Sequence, residues 1–190
     1  MAERVAALAA QPGMPAGTLA LAETLHLSVL PPRPVVLFRP GPRSLKSAGE
    51  IRIAGRPLPL AVNSWGGDDP VYCRIGPDAW FLISAQQDAD KLVAAASAGG
   101  RRRSHAIADV SDAWVTLALE GALAAPLLAR GCGLDLSEGV FGQSACTRIR
   151  FADLPVLLRR VSHERFELWV DRPAATWLHD WLQDAAAALV

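Results

Sequence analysis

Alternating apolar and polar positions between residues 108 and 136 predict the central unit of this chain. Residues 115–120 alternate with a period of two, which is typical of a strand with one buried face. A tight turn at Ser111-Asp112 precedes that strand, and Gly121 ends it. Leucines at helical spacing then predict a short helix, which Gly131 closes in the manner of a C′ glycine.

The same patterns predict the remaining elements. Strands are expected over residues 25–29, 35–39, 71–75, 80–83, 146–151, 155–161 and 166–170, and helices from Pro42, over 88–98 and from Pro173 onward. Pro31-Pro32 predicts a turn that brings the second strand back beside the first. Residues 64–70 are expected to form a polar loop.

This element order predicts an α+β fold made of two similar halves, each an antiparallel sheet covered by helices. The halves are expected at about 18–100 and 105–190, within a single domain over 18–190. Residues 1–17 are expected to form a flexible N-terminal arm, because glycine, proline and alanine dominate there.

The last helix is predicted to be amphipathic. Trp177 and Trp181, four residues apart, are expected on its apolar face beside Leu178 and Leu182. His179 is expected on the opposite, polar face.

Charge and cysteine content narrow the class of protein. The 190 residues carry 19 basic and 19 acidic side chains, which argues against nucleic acid or an anionic membrane as the main partner. No apolar run is long enough to span a bilayer. The three cysteines are odd in number and form no CxxC pair, which favours reduced core residues in a cytoplasmic protein.

Motifs of known chemistry are missing from the sequence. It contains no nucleotide-binding glycine loop, no nucleophile elbow and no zinc-protease motif, and its four histidines lack ligand spacing. Cys132 or Cys146 would be a nucleophile only with a nearby base that the sequence does not reveal. We therefore expect no metal site and no catalytic residue in this chain.

Three acidic residues flank the central unit at strand and helix ends. Asp109 or Asp135 would hold a pterin through paired N–H donors, with Trp114 as an aromatic platform and Arg101–Arg103 for the tail of a folate. The alternative is structural, with Asp112 making the turn and Asp135 capping a short segment. We expect the structural role, so Asp109, Asp135 and Trp114 are only weak folate candidates.

Four segments resemble the gamma subunit of heterotetrameric sarcosine oxidase. Residues 75–82, IGPDAWFL, resemble that family's LGPDEWLL hairpin, and 109–114, DVSDAW, resemble its DVS strand end. Residues 128–136, LARGCGLDL, followed by Phe141, resemble its LxxGxxLDL connector, and the tryptophan-rich tail resembles its ending. The likeness extends over residues 25–190.

This resemblance implies a fold like the folate-binding domain of the glycine-cleavage aminomethyltransferase. It also implies a non-catalytic subunit of an oxidoreductase that demethylates sarcosine or a related N-methyl amino acid. The expected partners are large alpha and beta subunits and a small delta subunit, which carry the flavins, NAD and tetrahydrofolate. A free-standing folate-binding or small-molecule-binding protein, a subunit of N-methylglutamate dehydrogenase and an orphan cysteine enzyme remain the alternatives.

Overall fold

The computed structural model describes residues 17–45, 48–100 and 104–189. The predicted N-terminal arm lies outside these ranges except for Gly17, which opens the first strand. The Arg101–Arg103 segment also lies outside them. None of the helices described has the length and apolar character that crossing a membrane requires.

The described residues form thirteen strands and four α-helices. The strands are β1 (Gly17–Ala22), β2 (Leu25–Val29), β3 (Val35–Pro40), β4 (Arg52–Ile53), β5 (Arg56–Pro57), β6 (Ser64–Gly66), β7 (Val71–Gly76), β8 (Ala79–Ile83), β9 (His105–Asp109), β10 (Trp114–Glu120), β11 (Cys146–Phe151), β12 (Leu154–Arg160) and β13 (Arg165–Asp171). The helices are α1 (Pro42–Leu45), α2 (Ala89–Gly99), α3 (Ala124–Ala129) and α4 (Ala175–Ala187).

Contacts divide the described residues into two compact units, the first made of 17–32 with 112–189 and the second lying within 33–111. The first unit contains a six-stranded antiparallel sheet in the order β1-β2-β10-β13-β12-β11. The second contains a five-stranded antiparallel sheet in the order β6-β7-β8-β3-β9, with β4 and β5 as a separate pair. Residues 18–32 thus belong with 112–190, and a single domain over 18–190 stays a prediction.

Leucine, valine and phenylalanine side chains on one face of the six-stranded sheet build the core of the first unit. Leu117, Leu158 and Leu168 of three adjacent strands are fully buried against α3 and α4. Burial of each such side chain stabilises the fold by about 1.5–3 kcal/mol relative to exposure. The core therefore forms from the face that the alternation in β10 predicts.

The opposite face of the same strands is also buried. Thr116 and Ala118 of β10 are 5% and 2% exposed, and Arg159 and Glu167 are 4% and 2% exposed. Arg159 and Glu167 face each other across β12 and β13, and Arg159 Nη2 donates to Glu167 Oε2 at 2.7 Å. The expectation that β10 has only one buried face is wrong, because Thr116 and Ala118 on its other face lie opposite Trp169 and Glu167 of β13, which are also buried.

A second core lies in the unit of residues 33–111. Phe38, Tyr72, Trp80 and Leu82 are buried on one sheet face with Leu92 of α2. The Tyr72 hydroxyl donates to the carbonyl oxygen of Ile53 at 2.6 Å, and burial raises the pKa of Tyr72. This hydrogen bond satisfies the one polar atom that the Tyr72 side chain brings into the core.

Helix α2 begins and ends as its sequence predicts. Asp88 is the N-cap and accepts from the backbone N–H of Lys91 at 2.9 Å, which holds the pKa of Asp88 below its usual value. At the other end, the Gly100 N–H donates to the Ala96 carbonyl at 2.9 Å. The cap residues on both sides therefore fix the boundaries of α2.

The predicted α+β class is confirmed, but two local predictions are wrong. Strand β2 pairs with β1 and β10, while β3 pairs with β8 and β9 in the other sheet. Pro31-Pro32 therefore connects two sheets and does not return the chain alongside the first strand. Part of the predicted polar loop is the edge strand β6, because Ser64–Gly66 pairs with β7.

Helix α4 buries Leu178 and Leu182 as predicted, but the positions of Trp177 and His179 are the reverse of the prediction. Ala175, Leu178, His179, Leu182 and Ala186 are buried, while Trp177 is 50% exposed. These buried positions follow the i, i+3, i+4 spacing of a single helical face. His179 fits there because Gln183 Nε2 lies 2.9 Å from His179 Nδ1, one turn along the helix.

Two glycines of the first unit are required for different reasons. Gly121 has a φ of +127°, and a Cβ there would lie 1.7 Å from the Thr24 carbonyl oxygen. Gly131 lacks a left-handed conformation, but a Cβ there would lie 2.5 Å from the Phe151 ring. Gly131 thus follows α3 but does not close it in the predicted manner of a C′ glycine, and glycine is needed there because the Phe151 ring occupies the space of a side chain.

Replacement of Gly121 by alanine should destabilise the chain. The strained backbone alone costs about 1–3 kcal/mol, and the clash with Thr24 adds to it. Gly133→Ala is the matched control, because its Cβ would meet nothing within 4 Å. Urea unfolding should give a clearly lower free energy of unfolding for Gly121→Ala only, and equal values for the two variants would contradict this account.

Candidate functional site

Asp109 is the first of the three weak folate candidates and ends β9. Its Oδ1 accepts from the backbone N–H of Ser111 at 3.0 Å and also from the Ser111 hydroxyl. The Ser111 hydroxyl in turn accepts from the Val35 N–H at 2.9 Å. Asp109 therefore forms a local chain of hydrogen bonds that ties the end of β9 to the start of β3.

Asp135 lies in the connector between α3 and β11. Its Oδ1 accepts from the Ser137 N–H at 2.9 Å, and this backbone hydrogen bond lowers the pKa of Asp135. A carboxylate that accepts from the amide two residues later closes an Asx turn. The arrangement matches the structural alternative, in which Asp135 caps a short segment.

Trp114 opens β10 and is partly buried. The Arg148 guanidinium carbon, from β11, lies 6.0 Å from the centre of the Trp114 ring. The pterin hypothesis needs one site that offers a free carboxylate and an open ring face. Asp109 belongs to a different unit from Trp114 and Asp135, and each of the three has a local partner, so a structural role for them stays the prediction.

The connector around Asp135 is held in place by the buried side chain of Arg160, which is 3% exposed. Its Nη1 donates to the carbonyls of Leu136 at 3.1 Å and Phe141 at 2.7 Å. Its Nε and Nη2 donate to the carbonyls of Ser162 at 3.2 Å and His163 at 2.7 Å. One guanidinium thus satisfies carbonyls in the connector and in the turn between β12 and β13.

The cysteines and His163 are the remaining candidates, and each has local surroundings that the structure describes. Cys73 and Cys146 are buried, and the Cys132 thiol lies 3.5 Å from the Leu128 carbonyl oxygen. His163 is exposed and lies 3.1 Å from Glu138. Among the residues that the structure describes, no three potential ligands cluster to hold a metal ion.

Four large apolar side chains are exposed among the residues that the structure describes. Trp177 is 50% exposed, Leu60 57%, Val62 47% and Val140 64%. Tryptophan is enriched at the energetic centres of protein interfaces. The helical pattern predicts Trp177 on an apolar face, whereas no pattern in the sequence singles out Leu60, Val62 or Val140.

An open cavity of about 320 Å³ lies beside the edge strand β11. Arg148, Ile149, Arg150, Asp153 and Pro155 line it. Arg150 Nε donates to Asp153 Oδ1 at 3.0 Å, and both side chains are largely exposed. An exposed ion pair of this kind contributes little stability.

Two curated proteins resemble this chain over most of its length. The sarcosine oxidase gamma subunit of Corynebacterium sp. strain U-96 is 30% identical over 160 residues, which cover 80% of this chain and 77% of that protein. The gamma subunit of strain P-1 is 28% identical over 187 residues, 97% of this chain and 87% of that protein. The chain belongs to the sarcosine oxidase gamma subunit family.

A family model and two solved structures match the fold of this chain. Residues 61–189 match the GCVT N-terminal domain. Heterotetrameric sarcosine oxidase from Corynebacterium sp. U-96, in complex with pyrrole 2-carboxylate, contains a chain with a TM-score of 0.74 and 24% identity, at 98% and 93% coverage. The glycine cleavage system aminomethyltransferase T of Bartonella henselae has a TM-score of 0.61 and 15% identity, at 84% and 45% coverage. The predicted likeness to the aminomethyltransferase fold is therefore confirmed.

Removal of the Arg160 guanidinium should destabilise this gamma subunit family member strongly. In Arg160→Met up to four carbonyls lose their donor, and each unsatisfied buried group costs about 1–3 kcal/mol, so we expect a loss on the order of 3 kcal/mol or more. Arg150→Met is the control, since its side chain is 77% exposed. Chemical unfolding compares the two, and similar losses would refute a special role for Arg160.

Tetrahydrofolate should not bind to this chain through Asp135. Calorimetric titration of the purified chain should show no micromolar binding, because the Asp135 carboxylate already accepts from Ser137. Asp135→Asn and the exposed control Asp153→Asn should leave the titration unchanged. Micromolar binding that only Asp135→Asn abolishes would make the folate-binding alternative the better account.

Proposed function

We propose that the chain is the non-catalytic gamma subunit of a heterotetrameric sarcosine oxidase-type flavoenzyme. The complex would oxidatively demethylate sarcosine or a related N-methyl amino acid. The observation that carries the proposal is the match over nearly the whole length of both chains, 98% of this one and 93% of the chain in the heterotetramer. A match of that extent leaves little of this chain for a separate function.

The local chemistry supports a subunit without its own reaction. Asp109 and Asp135 accept hydrogen bonds from neighbouring backbone amides, and the thiols of Cys73 and Cys146 are buried. A nucleophile would need a base within hydrogen-bonding distance, and a cofactor would need polar groups that are not already used by the fold. We therefore assign the chemistry to the partner subunits.

The partners that we propose are large alpha and beta subunits and a small delta subunit. The flavins, NAD and tetrahydrofolate would be bound by these subunits, in the cytoplasm. Net charge supports a protein partner, since 19 basic and 19 acidic residues offer no excess of positive charge for nucleic acid or anionic lipid.

Helix α4 offers a direct test, because its two tryptophans have different surroundings. Trp181 is partly buried, and its ring meets the Phe151 ring edge to face at a centroid distance of 5.3 Å. Trp177, one turn earlier, is half exposed. The first ring contributes to the core, and the second is available to another subunit.

Trp177→Ala should weaken assembly without unfolding the chain. The isolated variant should keep its melting temperature, because loss of an exposed side chain changes stability by about 0.5 kcal/mol or less. Trp181→Ala, the matched control, should cost about 3 kcal/mol because it leaves a gap against Phe151. Size-exclusion chromatography of the co-expressed complex, followed by flavin absorbance, measures assembly.

The subunit assignment fails if the wild-type chain elutes alone and captures no flavin-bearing protein from its own cell. If the complex forms but Trp177→Ala assembles as tightly as wild type, the assignment stands and helix α4 is not part of the interface.

A further inference from the structure

Strand β11 is the last strand of the six-stranded sheet and pairs with β12. The Arg160 N–H donates to the Ala145 carbonyl at 3.0 Å, and the register of β11 and β12 places these two residues directly opposite each other. Hydrogen-bonded pairs alternate with non-hydrogen-bonded pairs along an antiparallel ladder. The backbone N–H and C=O groups of Arg148 and Arg150 therefore point away from β12, toward the edge of the sheet.

The turn that joins β11 to β12 gives the same assignment. Ala152 and Asp153 have φ values of +44° and +68°, as in the two-residue type I′ turn of a hairpin. Such a turn is closed by a hydrogen bond between the residues that flank it, here Phe151 and Leu154. Steps of two back from Phe151 lead to residues 149 and 147, so the backbone of residues 150 and 148 faces outward.

The open cavity beside β11 lies along this edge. Arg148, Ile149 and Arg150 line it in succession. Consecutive side chains of a strand project to opposite faces of the sheet, and Ile149 packs against the core while both arginines are exposed. Three such residues line one cavity along the strand edge, where their backbone is reached. In the part of the chain that the structure describes, Arg148 and Arg150 make no backbone hydrogen bond beyond the ladder with β12.

The side chains at this edge carry an excess of positive charge. The Arg148 guanidinium lies 6.0 Å from the centre of the Trp114 ring, and no carboxylate among the described residues forms an ion pair with it. Arg150 pairs with Asp153, but both side chains are largely exposed, and such a pair is readily exchanged for another. Carboxylates that approach the edge would therefore meet two available guanidinium groups.

We propose that the edge of β11 pairs with an acidic, extended segment of a neighbouring subunit of the oxidase complex. This inference rests on the proposed function. In strand addition, hydrogen bonds between main chains give affinity and alternate side chains give specificity. A residue directly opposite Arg148 or Arg150 lies on the same face of the sheet, where a carboxylate forms a favourable cross-strand pair. Charge complementarity thus selects the occupant, and the outward-facing backbone groups fix its extended conformation.

A second copy of this chain is a poorer occupant of the edge. Antiparallel pairing of two β11 strands would bring Arg148 and Arg150 of both copies onto one face of the joined sheet. Like charges directly opposite each other across two strands are destabilising. Charged side chains on an edge strand commonly prevent this kind of self-pairing.

The N-terminal segment of the chain itself is a second rival. Residues 1–16 contain one acidic residue, Glu3, and one basic residue, Arg4, so they offer no excess of negative charge. They precede β1, which forms the opposite edge of the six-stranded sheet from β11. Charge and connectivity both favour a segment of another subunit.

Charge reversal at the edge should weaken assembly. Arg148→Glu combined with Arg150→Glu should reduce the affinity of the purified chain for the flavin-bearing subunits at least tenfold. Its melting temperature should stay close to that of wild type, because both side chains are exposed. Arg52→Glu is the matched control, an exposed arginine on β4 in the other unit, and should bind as wild type does.

A second pair of variants separates the backbone from the side chain. Arg148→Ala and Arg148→Pro both remove the guanidinium, but only proline also removes the outward N–H. Proline is tolerated on an edge strand where the N–H faces solvent, so the ladder with β12 should persist. Arg148→Pro should therefore bind the flavin-bearing subunits several-fold more weakly than Arg148→Ala.

Amide hydrogen exchange tests the pairing without any substitution. In the chain alone, the amides of Arg148 and Arg150 should exchange faster than those of Thr147 and Ile149, which donate to β12. Assembly with the flavin-bearing subunits should slow exchange at Arg148 and Arg150 at least tenfold. The amides of Thr147 and Ile149 are the internal reference.

The outcomes separate the two proposals. If the complex forms while exchange at Arg148 and Arg150 stays fast, or if the double variant binds as tightly as wild type, the role of the edge is overturned and the subunit assignment stands. Slow exchange at these amides in the chain alone also overturns it. Dependence on protein concentration would then identify a second copy, and loss of protection on deletion of residues 1–16 would identify the N-terminal segment. Failure of the wild-type chain to assemble at all rejects both proposals.

Discussion

The buried guanidinium of Arg160 fixes the part of the first unit that has no regular structure. Residues between α3 and β11 cannot satisfy their carbonyls within a helix or a sheet, and a buried carbonyl without a donor is costly. Arg160 donates to the carbonyls of Leu136 and Phe141, both of which place their side chains in the core. Its guanidinium also lies 5.0 Å from the centre of the Phe166 ring. Arg160 of β12 therefore holds the backbone of the connector at the two residues whose side chains enter the core.

Regular elements could be predicted from the sequence, because period-2 and helical patterns, caps and turn residues act over a few residues. Three predicted boundaries are correct, namely the start of α2 at Asp88, the turn at Pro77 after β7 and the end of β10 before Gly121. Sheet partners and burial depend on distant residues, so the pairing of β2 was wrong. The Arg159-Arg160 pair shows the limit, since both arginines are buried, one against Glu167 and the other against carbonyls. A local pattern predicts two charged residues in a row to be at least partly exposed.

For the candidate site residues the sequence offers two alternative roles, and the reason is chemical. Asp109, Asp135 and Trp114 are residue types that ligand sites use, but the same carboxylates also accept local backbone hydrogen bonds. Only the positions of Ser111 and Ser137 show which role applies. The exposure of Leu60 and Val62 could not be predicted either, because apolar residues in succession are typical of a core segment. Their exposure depends on side chains from elsewhere in the unit, such as Trp80, which bind the loop backbone.

Trp177 on helix α4 and the loop residues Leu60 and Val62 are exposed apolar side chains in similar surroundings. In each case the backbone is held by buried groups, Leu178 and Leu182 beneath the helix and Trp80 beneath the loop, while apolar side chains are left in water. A catalytic site has the reverse arrangement, in which polar groups are kept available and apolar surroundings exclude water. Here carboxylates such as Asp109 and Asp135 are used by the fold, and the apolar groups are the ones in excess. Carboxylates in local hydrogen bonds together with exposed apolar side chains favour a protein whose surface is completed by other subunits.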